Sequence, residues 1–128
     1  MSSVKNNVTL MGNLCDDPNY RTTQSGIATV SFRIAVQRRF RDKETGQKKA
    51  DFINVVAWKN TAEFVRQYVH KGDFVALHGE IQTRTYTAQD GTTRYVTEIN
   101  ADNVERPWQK VSEGTGQYED AEDDLPEF

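Results

Sequence analysis

Between Ile27 and Gln37 the chain alternates with a period of two. Ala28, Val30, Phe32, Ile34 and Val36 fall on one side, and Thr29, Ser31, Arg33 and Gln37 on the other. A strand turns successive side chains to opposite faces, so this segment suits a sheet that is apolar on one face and wet on the other. A helix would scatter the same apolar residues around its circumference. One such strand cannot bury its apolar row alone, so the rest of the chain must supply partner strands.

It does. Val4 to Leu14 mixes β-branched and apolar residues and stops at the turn signal Asp16-Asp17-Pro18. Ser25-Gly26 marks a second loop. Residues 38–50 have little apolar content, six basic and two acidic side chains and a glycine at 46, and they read as a long exposed hairpin loop. Asp51 to Trp58 is the next strand, with Ile53, Val55 and Ala57 alternating with Phe52, Asn54, Val56 and Trp58. Both of its faces are apolar, so periodicity leaves the buried one open. Asn60 as N-cap with Glu63 three residues on makes a capping-box-like helix start. Ala62, Val65 and Val69 then lie on one side with Tyr68 nearby, and Lys71-Gly72 closes the helix. Phe74 to Tyr86 and Thr93 to Val104 are two further strands, joined across Gln89-Asp90-Gly91. The order β-β-β-α-β-β predicts an all-β fold, a five-stranded OB-fold barrel with one short helix between strands 3 and 4.

The charge is unevenly divided. Residues 1–106 carry 15 Lys and Arg against 12 Asp and Glu, a net of +3, whereas residues 107–128 carry 1 against 7, a net of −6. Residues 119–128 hold six carboxylates and no basic side chain. Such a run is too polar and too self-repelling to join a core, and it reads as a disordered, solvated interaction tail. The chain thus divides into a domain over 1–106, a short linker over 107–118 and an acidic tail over 119–128. It has no apolar run of about 18 residues that would span a bilayer, and no apolar stretch for secretion near Met1. The single cysteine, Cys15, excludes an internal disulfide framework. A cytoplasmic protein is expected.

If Ile53, Val55 and Ala57 form the core face, Phe52 and Trp58 point outward. Phe40 sits in the basic segment next door, and Tyr86 shares the parity of Gln82 and Arg84. Outward aromatics interleaved with cations suit single-stranded nucleic acid: unpaired bases stack on flat side chains and cations follow the phosphates. A duplex hides its base faces. Each aromatic taken alone fits a subunit contact or an edge-packing residue equally well, and a charge run alone is ordinary solvated surface. Four aromatics together with Arg38, Arg39, Arg41, Lys43, Lys48 and Lys49 favour the binding reading.

Several segments resemble the bacterial single-stranded DNA-binding protein family over roughly residues 4–105. They are Gly12-Asn13-Leu14 with Asp17-Pro18, Ser25-Gly26, Val30 to Val36, Ala50 to Trp58, Ala62-Glu63, Tyr68, Lys71-Gly72-Asp73, Gly79 to Tyr86, Asp90-Gly91 and Tyr95 to Glu98. The resemblance implies an OB-fold that assembles as a homotetramer and wraps single-stranded DNA, with Val4 to Leu10 contributing to assembly. It puts the stacking aromatics at Phe40, Phe52, Trp58 and Tyr86, and phosphate contacts at Lys43, Lys71 and Arg84. The local charge pattern adds Arg39, Arg41, Lys48 and Lys49. It further implies that an acidic tip recruits enzymes of DNA replication, recombination and repair. Here Asp123, Asp124, Leu125 and Pro126 match that tip, but Glu127 separates Pro126 from Phe128. The extra residue shifts the terminal ring, so a weakened or altered partner contact is expected. The short linker also departs from the family, and a chromosomal, plasmid or phage copy would suit these features equally.

An enzyme is the main alternative. Yet His70, His78 and Cys15 lack any standard metal-ligand spacing. Asp42, Glu44 and Asp51 lie in or beside the basic segment, where solvated charges are expected. No catalytic residue, metal or cofactor is assigned. An OB module serving as a scaffold would keep the fold without the aromatics or the tail, and this chain has both. An RNA-preferring module remains open, because stacking tolerates either sugar.

Overall fold

The computed structural model describes residues 5–107. Expectations for Val4, residues 108–118 of the linker and the 119–128 tail, with Asp123, Asp124, Leu125, Pro126 and Phe128, lie outside the described residues.

The strands are β1 (Val8–Leu14), β2 (Asn19–Thr22), β3 (Ala28–Arg41), β4 (Lys48–Trp58), β5 (Phe74–Thr87) and β6 (Thr93–Glu105), with helix α1 (Lys59–Tyr68) between β4 and β5. Five of them run in the order β1-β5-β6-β4-β3 and close when β3 returns to β1 through Asn13↔Ala35 and Leu14↔Ile34. The pairing of β4 with β6, Val55↔Ile99 to Ala57↔Ala101, is parallel and the others are antiparallel. This is the expected barrel with its single helix. The short β2 is an addition: Asn-Tyr-Arg-Thr has no apolar rhythm and becomes a strand only by pairing with β3.

Packing chooses between the two faces of β4. Val55 and Ala57 are fully buried and pair with Phe32 and Val30, while Ile53 pairs with Ile34 at the edge of the core. The core is completed by Leu14, Val75, Leu77, Ile99, Ala101 and Val104, and by Ala62, Val65 and Val69 from the helix and its C-terminal flank. Two glycines let strands approach closely. A Cβ on Gly12 would collide with the Ala35 carbonyl oxygen, and one on Gly79 with that of Asn100.

Three local expectations change. The helix ends at Tyr68 with Val69 extended as its C-cap, so Lys71-Gly72 forms the following turn and does not close the helix. The helix starts at Lys59, one residue before the expected cap, so the N-cap is Trp58, and no side chain caps it. The cause is that β4 keeps its ladder through Trp58, leaving Asn60 already inside the helix. Glu63 turns to other partners: Tyr20 Oη donates to it at 2.7 Å, and Arg66 donates from Nε and Nη2 at 3.1 and 3.0 Å. That contact ties β2 to the helix. Residues 38–50, expected as a loop, are mostly a two-stranded arm. β3 and β4 continue past a bulge to the pair Arg41↔Lys48. Among the described residues no helix is long and apolar enough to cross a membrane.

Candidate nucleic-acid interface

Because inward pairs occupy alternate rungs of β3 and β4, the rungs between them face outward: Ala35↔Phe52, Arg33↔Asn54, Ser31↔Val56 and Thr29↔Trp58. Phe52 is 61% exposed and Trp58 42%. Six residues of strand set them about 20 Å apart, enough for several unstacked nucleotides. The Arg33 guanidinium lies 5.4 Å from the centre of the Phe52 ring, a cation–π contact that steadies both.

The arm carries Phe40 at its far end, 78% exposed, with the Arg39 guanidinium 5.7 Å from its ring centre. Internal bonds stiffen the arm. Arg38 grips Asp51 with Nη2 to Oδ1 at 2.9 Å and Nε to Oδ2 at 3.0 Å. Asp42 Oδ1 accepts from the backbone N–H groups of Glu44 and Thr45, and Lys49 Nζ lies 3.0 Å from Asp42 Oδ2. The hydrogen bond from Lys49, then those from the two amides, holds the Asp42 carboxyl below its ordinary range. The bond from Arg38 does the same for Asp51. Lys43 and Arg41 are exposed on the arm, and Arg41 NH1 donates to the Gly46 carbonyl at 3.2 Å. Lys48, at the base of the terminal turn, is half-buried.

The second wall comes from the β5–β6 hairpin. The pairs Arg84↔Val96 and Tyr86↔Arg94 share one face, and Tyr86 is 49% exposed. Arg84 Nε donates to Glu98 Oε1 at 2.8 Å, with Glu98 only 11% exposed. Between the hairpin and the β3–β4 surface runs an open groove of about 860 Å³. Arg33, Asn54 and Val56 line one side of it, and Arg84, Tyr86 and Val96 the other. Arg21 and Asp17 also line it, and Asp17 Oδ1 accepts from the backbone N–H of Lys71, which is not itself a lining residue.

The barrel thus sets Phe52 and Trp58 on the outward row and Tyr86 and Arg84 in the groove that row borders, with Lys71 tied to the groove residue Asp17 only through its backbone. Phe40, Arg39, Arg41, Lys43, Lys48 and Lys49 stand apart on the arm.

The Single-strand binding protein family matches residues 5–107.

The chain belongs to that family.

A single-stranded DNA-binding protein of Oceanobacillus iheyensis is 46% identical over 109 residues, covering 85% of this chain and 67% of the relative. Single-stranded DNA-binding protein 3 of Clostridium acetobutylicum is 48% identical over 101 residues, covering 78% and 69%. A single-stranded DNA-binding protein of Staphylococcus aureus is 42% identical over 112 residues, covering 88% and 71%. The chain spans as little as 58% of the length of other curated relatives it matches. The family is one of binding proteins and not of enzymes.

Among the described residues no group of three or more His, Cys, Asp and Glu is set to hold a metal ion. His78 is instead engaged by neighbours: its Nδ1 lies 2.9 Å from Asp102 Oδ1, and Nε2 meets Asn7 Oδ1. Sequence reasoning passed over Arg33, Arg21 and Asn54. The first and last sit on the outward parity that had already selected Phe52 and Trp58, so that signal was present. Arg21 had none, because it reaches the groove only through the unanticipated β2.

Proposed function

We propose that this chain binds single-stranded DNA with little regard to sequence. The observation that carries the reading is the outward row of β3 and β4, where Phe52 and Trp58 flank Arg33 and Asn54, the two residues that line an open groove with Arg84 and Tyr86. Flat rings on a rigid barrel offer stacking faces to unpaired bases of any kind, and guanidinium groups between them meet phosphates. The relatives' names support single-stranded DNA as the ligand.

Phe40, Phe52, Trp58 and Tyr86 stack bases in this reading. Arg39, Arg41, Lys43, Lys48, Lys49, Lys71 and Arg84 hold the phosphates, joined by Arg33 and Arg21 from the groove. Coating keeps strands from re-pairing during DNA replication, recombination and repair. The protein acts as a homotetramer, and its acidic tail, through Asp123, Asp124, Leu125, Pro126 and Phe128, recruits the enzymes that process the coated strand.

The test is intrinsic tryptophan fluorescence during titration with oligo(dT), with duplex and matched RNA as competitors and across a salt series. Single strands should quench Trp58 while Trp108 leaves a residual signal. Affinity should fall with salt by roughly 0.7 in log–log slope per phosphate contacted. Equal quenching by duplex would overturn the stacking reading, and tighter binding of RNA would change the ligand.

A further inference from the structure

β4 passes into α1 with no connecting residue. Trp58 is extended at φ −131° and ψ 156°, and Lys59 is the first residue of the helix. The change of direction falls on Lys59, whose φ of 56° lies in the left-handed region. Every other described residue with positive φ is a glycine: Gly26, Gly46, Gly72 and Gly91. There an L side chain crowds a carbonyl oxygen, a penalty that glycine escapes. Lysine therefore occupies a position where glycine would suit the backbone better. Strain retained beside a binding surface directs attention to the side chain that requires it.

Position and charge supply the rest. Lys59 is exposed and directly follows Trp58, the ring that ends the outward row. Arg38, Lys49, Arg66, Arg84 and Arg94 each lie against a carboxylate. Lys59 has no such partner among the described residues. A paired cation must loosen an internal bond before it meets a phosphate, and Lys59 has none to loosen.

We propose that Lys59 is a phosphate-contacting residue that grips the DNA backbone at the nucleotide stacked on Trp58. The inference rests on the single-stranded DNA reading above. One phosphate contact adds about 0.7 to the slope of log affinity against log salt, which at 0.1 M salt is about a fivefold gain in affinity for each protomer engaged.

The experiment measures fluorescence anisotropy of labelled oligo(dT) from 0.05 to 0.5 M salt, with thermal unfolding in parallel, for wild type, Lys59→Gly, Lys59→Gln and Lys59→Arg. Lys59→Gly should melt at the wild-type temperature or above it, bind about fivefold more weakly at 0.1 M salt and lose about 0.7 of slope. Lys59→Arg should keep both affinity and slope. Lys59→Gln removes the charge without changing backbone freedom, so it reads the same contact if the glycine variant loosens the junction. Wild-type affinity and slope in the Gly and Gln variants would overturn the proposal. Weaker binding at unchanged slope would overturn it as well, since Lys59 would then act only by placing Trp58. Failure of the wild type to bind oligo(dT) would instead remove the underlying reading.

Discussion

Replacing Phe52 by leucine separates stacking from folding. The ring is 61% exposed, so only about two fifths of it packs against the barrel. On an aromatic that offers about 200 Å², the covered part is about 80 Å². Leucine recovers most of that contact, and the shortfall of roughly 10–15 Å² costs about 0.3 kcal/mol at 25 cal/mol/Å². Losing the Arg33 contact over the ring adds about 0.5–1 kcal/mol at such an exposed site. The folding cost is therefore about 1 kcal/mol, which lowers Tm by roughly 4–8 °C in a domain of this size and leaves the variant folded at 25 °C. Binding responds differently, because leucine has no flat π-face. Loss of one stacked base costs about 1–3 kcal/mol, a weakening of about 5- to 150-fold. The assay is anisotropy of labelled oligo(dT) at fixed salt, which leaves Trp58 out of the readout. The salt slope should not move, since no charge is removed, and Phe52→Trp should bind at least as tightly as wild type. A Phe52→Leu variant that binds within twofold of wild type would refute the stacking role.

Gly79→Ala forces a Cβ against the Asn100 carbonyl. An overpacking cost of about 1–3 kcal/mol should lower Tm, and a melting curve that matches wild type would count against close strand approach at that corner. Arg84→Gln should weaken binding by more than one phosphate contact, because Glu98, only 11% exposed, is left facing the strand unpaired. The Arg84→Gln, Glu98→Gln double variant should regain part of the loss, and a double variant no better than the single would sink this account. Asp42, Asp51, Glu63 and Asp90 are held below the ordinary carboxyl range, chiefly by hydrogen bonds from Lys49, Arg38, Tyr20 and Thr92 respectively. Below about pH 4 the unfolded chain takes up protons on such groups before the folded one does. Their stabilisation is thus present at neutral pH and is lost as acid reaches the folded values. Urea midpoints should hold from pH 8 to 5 and fall below about 4, less steeply for Asp42→Asn, Asp51→Asn, and a midpoint unchanged at pH 3 would contradict it. Deleting residues 119–128 should tighten oligo(dT) binding at low salt and leave it unchanged at high salt, if the acidic tail competes for the same cations. No change at low salt would remove that competition.

The barrel was readable from periodicity and order alone. The alternation at Ala28 to Val36 holds in the fold, with Val30, Phe32 and Ile34 all buried. Five strands and one helix left few closed arrangements. Features without an apolar rhythm could not be read in this way. The arm bearing Phe40 is wet on both faces, so its strands leave no alternating trace. β2 exists only through its ladder to β3, and the helix start moved because the β4 ladder outlasted the local cap signal.

The candidate surface divides along the same line. Outward parity, a property of each strand taken singly, was enough to pick Phe52, Trp58 and Tyr86. Bringing Tyr86 and Arg84 into one groove with Arg33 and Asn54 required the parallel docking of β6 on β4, Val55↔Ile99 to Ala57↔Ala101. Local alternation tells each strand which face to bury. It does not tell distant strands which neighbour to take, because that choice follows from closing a single core around Val55, Ile99 and their partners.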